Sequence, residues 1–298
     1  MSAEPSRAIV SGSCKGAIIN ESVLARTAVV AEPGHGLAMG LNLPPLTRDG
    51  PEPLLGVLAF GDSITNGGGE LQWGVALQSW ALWVARGLGL PYTGYAVDGA
   101  DVHHVVEWQI PAFRTLTAHT DPAYDLGCLY IGVNDVRRPN FDVGAFARDY
   151  AVALEFLTGR CRRTLTMTVP LDLGRPPAGA KVNDLNAAIE ETADMLGVLV
   201  VELRGLRSRG LMMADHVHPT ALGQVAIAER ALARLEQDGL APAIMPSSLI
   251  SYQTTRWGRM RGDLTYVYRR AKYGRGRFTG TAGRRLRSRR AGGGPAQE

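Results

Sequence analysis

Across 298 residues the chain carries a formal net charge of +4, 45% hydrophobic residues, 36 glycines and 17 prolines, enough for one large domain or two small ones. Mean hydropathy is −0.04 and no run approaches the ~18 uncharged apolar residues that span a bilayer, which excludes an integral helical membrane protein. The N-terminus, Met1-Ser-Ala-Glu-Pro-Ser-Arg, has an acid and a proline where a secretion signal has a basic start and an apolar run, so a cytoplasmic location is expected.

Residues 1–53 contain strand-like runs, Ala17–Asn20 and Thr27–Val30, broken by Pro33-Gly34 and Pro44-Pro45. They read as an N-terminal extension, either an added edge hairpin or a partly ordered arm. From residue 54 the pattern changes to an alternating α/β domain. Leu55–Phe60, Leu126–Ile131, Thr164–Val169 and Val198–Leu203 are short apolar runs rich in β-branched residues, as expected of parallel strands buried on both faces. A further short strand is expected to end at Tyr95–Val97. Between them, Trp73–Arg86, Val143–Leu157, Val182–Leu196 and Thr220–Leu235 carry apolar residues at helical spacing, and Gly239 follows the last as a stop. A sheet sandwiched by helices is predicted, with chemistry gathered at the carboxyl ends of the strands.

Charge then shifts sharply. From Met245 to Glu298 there are twelve Arg and one Lys against Asp263 and Glu298, a net +11, while residues 1–244 hold 19 basic against 26 acidic side chains, a net −7. Gly280 to Pro295 lacks apolar periodicity, so residues 241–298 are expected to be a basic and largely disordered tail. Its Arg284, Arg285, Arg287, Arg289 and Arg290, with Tyr266, Tyr268, Tyr273 and Phe278 upstream, suit weak binding to an anionic membrane surface or polyanion, or simple solvation. No fold for sequence-specific nucleic-acid recognition is visible.

Three segments, two at predicted strand ends and one directly before a predicted helix, carry side chains suited to chemistry. Gly61-Asp62-Ser63-Ile64-Thr65, continued by Asn66-Gly67-Gly68-Gly69, puts a serine at a strand-to-helix turn where backbone N–H groups are free; helix capping by Asp62 or Ser63 is the plainer alternative. The glycines are not followed by Gly-Lys-Ser/Thr and lack dinucleotide-site spacing, so no nucleotide cofactor is expected. Gly132-Val133-Asn134-Asp135 ends the second long strand with an amide donor, or with an ordinary turn asparagine. Asp215-His216-Val217-His218-Pro219 offers His218 with a carboxylate three residues upstream that can reach its ring. His216 is expected to point elsewhere, and His35, His103, His104 and His119 are expected to be surface or packing residues. Further Cys or His ligands are lacking there, so no metal is expected, and Cys14, Cys128 and Cys161 are too widely spaced for a zinc site or a disulfide framework. Trp73, Trp80 and Trp83 fit a core better than a pocket lining.

Taken together, Gly61–Thr65, Gly99 after a short strand, Gly132–Asp135 and Asp215–Pro219 resemble the blocks of the SGNH hydrolase superfamily, the GDSL-type esterases and lipases, over about residues 54–240. The resemblance implies a flavodoxin-like three-layer α/β/α sandwich with a mostly parallel sheet and metal-free hydrolysis of acyl esters. By that likeness Ser63 stands at the nucleophile, Asp215 and His218 at the acid and base, and Ser63, Gly99 and Asn134 at the oxyanion hole. Asp98, before the glycine, departs from many members. A small-molecule or glycan acyl ester with a short acyl chain is the expected substrate; a lysophospholipase, a thioesterase, or a protein tethered by its tail are the alternatives.

Overall fold

The computed structural model describes residues 54–250 except 73 and 209, together with Met260, Leu264, Val267, Tyr268 and Ala271. The expectations for residues 1–53, for Trp73, Cys14 and His35, and for most of the basic tail lie outside the described residues.

Five parallel strands form one sheet: β1 (Val57–Gly61), β2 (Tyr92–Gly94), β3 (Tyr124–Tyr130), β4 (Cys161–Met167) and β5 (Leu199–Val201), in the order β2-β1-β3-β4-β5. Val57 to Phe60 are at most 1% exposed, because β1 is central and covered on both faces; Val57 pairs with Tyr92 on one side and Leu126 on the other. The chain leaves β1 toward β2 and then crosses back to β3. The loops after β1 and β3 therefore diverge, opening a crevice at the carboxyl ends of these two strands. The sheet is wholly parallel, and the three-layer expectation holds.

Helix α1 (Trp80–Leu88) packs with α7 (Ala221–Gln237) on one face, and α5 (Val143–Thr158) with α6 (Lys181–Met195) on the other. The helix expected from Trp73 starts instead at Trp80. Ser79 supplies the reason: its hydroxyl accepts from the N–H groups of Ala81 and Leu82, while Gln72 and Val75 pair as an isolated bridge ahead of it. Trp80 and Trp83 are buried, in keeping with a core role. Asp142 caps α5 through Ala145 N–H, and Thr220 caps α7 through Gly223 N–H.

Two features escape the helical spacing in the sequence. Between β2 and β3 run α2 (Val102–His104), a π-turn (Val105–Gln109) and α3 (Ile110–Leu116), whose shift from one pitch to another scrambles the apolar period. A single turn, α4 (Val133–Val136), follows β3. The short strand before Gly99 is Tyr92–Gly94, three residues earlier than expected. Tyr95 and Val97 N–H nevertheless continue along β1, donating to Ala59 O at 2.8 Å and Gly61 O at 3.1 Å.

The core includes an aromatic cluster in which Phe113 meets Phe60, Tyr95 and Phe156 edge-on at 6.2, 5.6 and 5.5 Å between centroids. Cys128 and Cys161 are free thiols; burial pushes Cys128 well above the usual range and Cys161 up to about 12, so both are packed as inert apolar groups. Residues 241–250, expected to begin the tail, pack on the domain. Ala243 and Ile244 N–H donate to Gly87 O, Ser247 N–H donates to Glu229, and Pro246 is buried. No helix among the described residues is long and apolar enough to cross a membrane.

Candidate active site

β1 ends at Gly61, which turns with φ +153°; a Cβ there would lie 2.5 Å from Tyr130 O and 2.6 Å from Thr65 Oγ1, so only glycine lets the chain turn against β3. Asp62 is fully buried and its Oδ1 accepts from Ile64 N–H at 2.9 Å, folding the next residues into a tight turn that presents Ser63. Gly68 N–H closes this turn on Ser63 O at 2.6 Å. Two glutamines hold it from outside. Gln109, in the π-turn, donates to Gly61 O at 2.8 Å and accepts from Gly61 N–H at 3.0 Å. Gln224, fully buried on α7, donates to Ile64 O and Gly68 O and accepts from Trp80 N–H.

The second loop reaches this turn from the far end of the chain. Ser63 Oγ lies 3.0 Å from His218 Nε2, and His218 Nδ1 lies 2.8 Å from Asp215 Oδ2. The other carboxylate oxygen of Asp215 accepts from Val217 and His218 N–H, so both oxygens are committed to this loop. A backbone bridge between Glu70 and Thr220 ties the serine loop directly to the histidine loop.

Gly99 and Asn134 come from two further loops. Gly99 turns with φ +77°, and neither its N–H nor that of Ser63 has a protein acceptor among the described residues. Asn134 Nδ2 donates to Ala100 O at 2.9 Å, which uses one of its two N–H groups and pins the segment after Gly99 to the end of β3. Asp135 reinforces that junction by accepting from Val102 N–H at 3.1 Å. Asp98, the departure noted in the sequence, accepts from Asn66 Nδ2 at 2.8 Å and so locks the Gly99 loop to the serine loop.

The electrostatics follow from these contacts. The hydrogen bond that His218 donates to Asp215 raises the imidazole above its ordinary value against the opposing effect of burial, and the Arg137 guanidinium works the other way. Burial pushes Asp215 up, but its bonds with His218 and the loop N–H groups outweigh that and hold it below the usual carboxylate range. Burial drives Asp62 up to about 7, against the hydrogen bond from Ile64. A hydroxyl, an imidazole and a carboxylate in series can draw the proton from the hydroxyl while the carboxylate stabilises the imidazolium that forms.

His216 turns away, as expected, but into a carboxylate of its own: Nδ1 lies 2.8 Å from Asp172 Oδ2, with Arg175 Nη2 2.7 and 3.0 Å from its two ring nitrogens. His103, exposed as a surface residue, also meets a carboxylate: Asp149 Oδ2 is 3.1 Å from its Nδ1 on the exposed face of α5. Their partners lie 44 and 46 residues away, beyond the reach of a local motif. Gln109 and Gln224 were also missed, although Gln224 stands on the apolar stripe of α7 between Ala221 and Val225, a position where a polar residue signals a buried partner. Among the described residues no three His, Cys, Asp or Glu side chains converge as metal ligands.

Residues 59–226 match the model of the GDSL-like lipase/acylhydrolase family, more than half of the chain. The chain belongs to that family. It is a GDSL-type (SGNH) carboxylic ester hydrolase. Solved structures similar to this GDSL hydrolase include an alpha/beta hydrolase enzyme from the metagenome of Lake Arreo, Spain (19% identity over 60% of this chain and 94% of that one, TM-score 0.48). Others are an acetylxylan esterase from Geobacillus stearothermophilus (17%, 61% and 95%, TM-score 0.45) and a member of the lipolytic protein G-D-S-L family from Veillonella parvula (20%, 59% and 96%, TM-score 0.49). None of the curated proteins matches the chain.

Proposed function

We propose that this hydrolase is a serine esterase for short acyl esters, with Ser63 as nucleophile, His218 as base and Asp215 orienting the imidazole. The observation that carries the reading is the series Ser63 Oγ to His218 Nε2 at 3.0 Å and His218 Nδ1 to Asp215 at 2.8 Å. As Ser63 attacks the ester carbonyl, its proton passes to His218. The tetrahedral oxyanion is held by the N–H groups of Ser63 and Gly99, both without acceptors among the described residues, and by the second N–H of the Asn134 amide. His218 then gives the proton to the departing alkoxide, leaving an acyl-enzyme and a free alcohol. Water repeats the sequence on the acyl-enzyme and releases the acid. Burial drives Asp62, next to the nucleophile, up to about 7, so at neutral pH it carries only part of a full negative charge.

The hollow that borders Gly99 offers a long alkyl chain no apolar trough beside the serine, in keeping with short acyl groups. It measures about 250 Å³ and is lined by Asp98, Asp101, Arg138 and two histidines against only Ala100 and Trp108 as apolar groups. A long alkyl chain laid into it would strip water from charged groups. The test is hydrolysis of p-nitrophenyl esters from acetate to palmitate by wild type and by Ser63→Ala. Loss of kcat by about 10³- to 10⁶-fold in the variant, with wild type fastest on acetate and butyrate, is expected. Equal activity of the two proteins would overturn the nucleophile, and a peak at long chains would overturn the acyl preference.

A further inference from the structure

The hollow beside Gly99 is built by an unusual piece of helix. In the π-turn, Ile110 N–H reaches back to Val105 O, a step of five residues. Gln109 in this turn is 2% exposed and clamps both backbone groups of Gly61, while its neighbour Trp108 is 68% exposed and lines the hollow. One local distortion thus serves the serine turn with one residue and the cavity with the next. Exposing two-thirds of an indole is costly for a side chain that folding alone would bury, and π-turns concentrate at functional sites.

The lining selects the occupant. Trp108 offers a flat apolar surface, stacked on its inner side by His104 at 6.3 Å and 27°. Around it stand Asp98, one of whose carboxylate oxygens accepts from Asn66 while the other has no partner among the described residues, and Arg138, which pairs with Asp101 and keeps further N–H groups. An alkyl chain would have to desolvate these charges, and a phosphate would face the carboxylates of Asp98 and Asp101. A ring with a CH-rich face and a rim of hydroxyls satisfies both halves of the lining at once. At about 250 Å³ the hollow lies just under the ~300 Å³ at which small-molecule pockets usually begin, room for one ring rather than a long chain.

We infer that this cavity binds a pyranose ring of the substrate's alcohol portion, with the ring face on Trp108 and its hydroxyls on Asp98 and Arg138. The inference rests on the reading of Ser63 as nucleophile, because Gly99 borders both the hollow and the proposed oxyanion site.

Three proteins decide it: wild type, Trp108→Ala and Trp108→Phe, each assayed in a pH-stat on mono-O-acetylated methyl β-xyloside and β-glucoside, and on ethyl acetate, whose alcohol has no ring. Trp108→Ala is expected to raise KM for the acetylated glycosides about 3- to 10-fold with kcat kept, to leave ethyl acetate kinetics within about twofold, and Trp108→Phe to recover most of the loss. The unesterified methyl glycosides should inhibit ethyl acetate hydrolysis competitively in wild type and more weakly in Trp108→Ala. The inference is overturned if the two substrate types change in parallel, or if the glycosides neither react nor inhibit. Ser63→Ala run on ethyl acetate separates the two readings: full activity there removes the nucleophile, whereas Ser63-dependent activity indifferent to Trp108 removes only the sugar site.

Discussion

Two histidines stand two residues apart on one loop, each with a carboxylate oxygen 2.8 Å from its Nδ1: His218 with Asp215, His216 with Asp172. The pairs differ in what meets the rest of the ring. His218 Nε2 faces a serine hydroxyl at 3.0 Å, whereas the ring nitrogens of His216 face Arg175, a guanidinium that carries only donors. On the proposed reading a carboxylate behind an imidazole does not by itself make a base; the group in front decides. The His216 pair instead binds the segment carrying Asp172 and Arg175 onto the histidine loop, helped by Gly174 N–H donating to His216 O, and His216 accepts a left-handed backbone (φ +55°) to do so.

Replacing each ring in turn tests that contrast most severely. His218→Ala should lower kcat by about 10³-fold or more, while His216→Ala should cost about tenfold or less, both read from ester hydrolysis under saturating substrate. Comparable losses would mean that His216 shares the proton transfer.

A smaller effect is expected from loosening what His218 faces. Gln224→Ala leaves Ile64 O, Gly68 O and Trp80 N–H without their partner, so thermal unfolding should show a loss of about 1–3 kcal/mol, and kcat/KM should fall as Ser63 wanders from the imidazole. Loss of stability at undiminished kcat/KM would show that the turn holds Ser63 without Gln224.

The pH profile gives the finest discrimination. Because Asp215 raises His218, kcat/KM should rise with pH through a midpoint above the free imidazole value of about 6.5. Asp215→Asn should move that midpoint down along with the rate, and Asp172→Asn should leave it in place. The sign for stability is opposite: a raised histidine contributes fully below about 6.5 and loses its contribution as the pH climbs through the folded value, so the pair holds the loop best where the base is spent.

Much of this arrangement was legible from residue types alone. An apolar run ending in Gly61-Asp62-Ser63 marks a central strand and its turn, and Asp215 three residues before His218 announces a local bond that the loop indeed makes. What stayed hidden depends on distance or on changes of helical pitch. Asp172 and Asp149 reach their histidines only through the fold, the π-turn spoils the spacing that would have revealed α2 and α3, and Ser79 cuts short an apolar pattern that would otherwise carry α1 back toward Trp73. Arg175 could not be placed opposite His216 by any reading of neighbours in the chain.

The Glu70–Thr220 bridge has a wider consequence. It is made of backbone, with Ala221 N–H donating to Glu70 O at 2.9 Å and Glu70 N–H donating to Pro219 O at 3.4 Å. Ser63 and His218, 155 positions apart, thus ride on a common strip of main chain whose register no side-chain exchange at 70 or 220 erases. The proposed reacting pair is in this way insulated from substitutions in the residues around it, and the rim of the crevice is left free to vary without disturbing it.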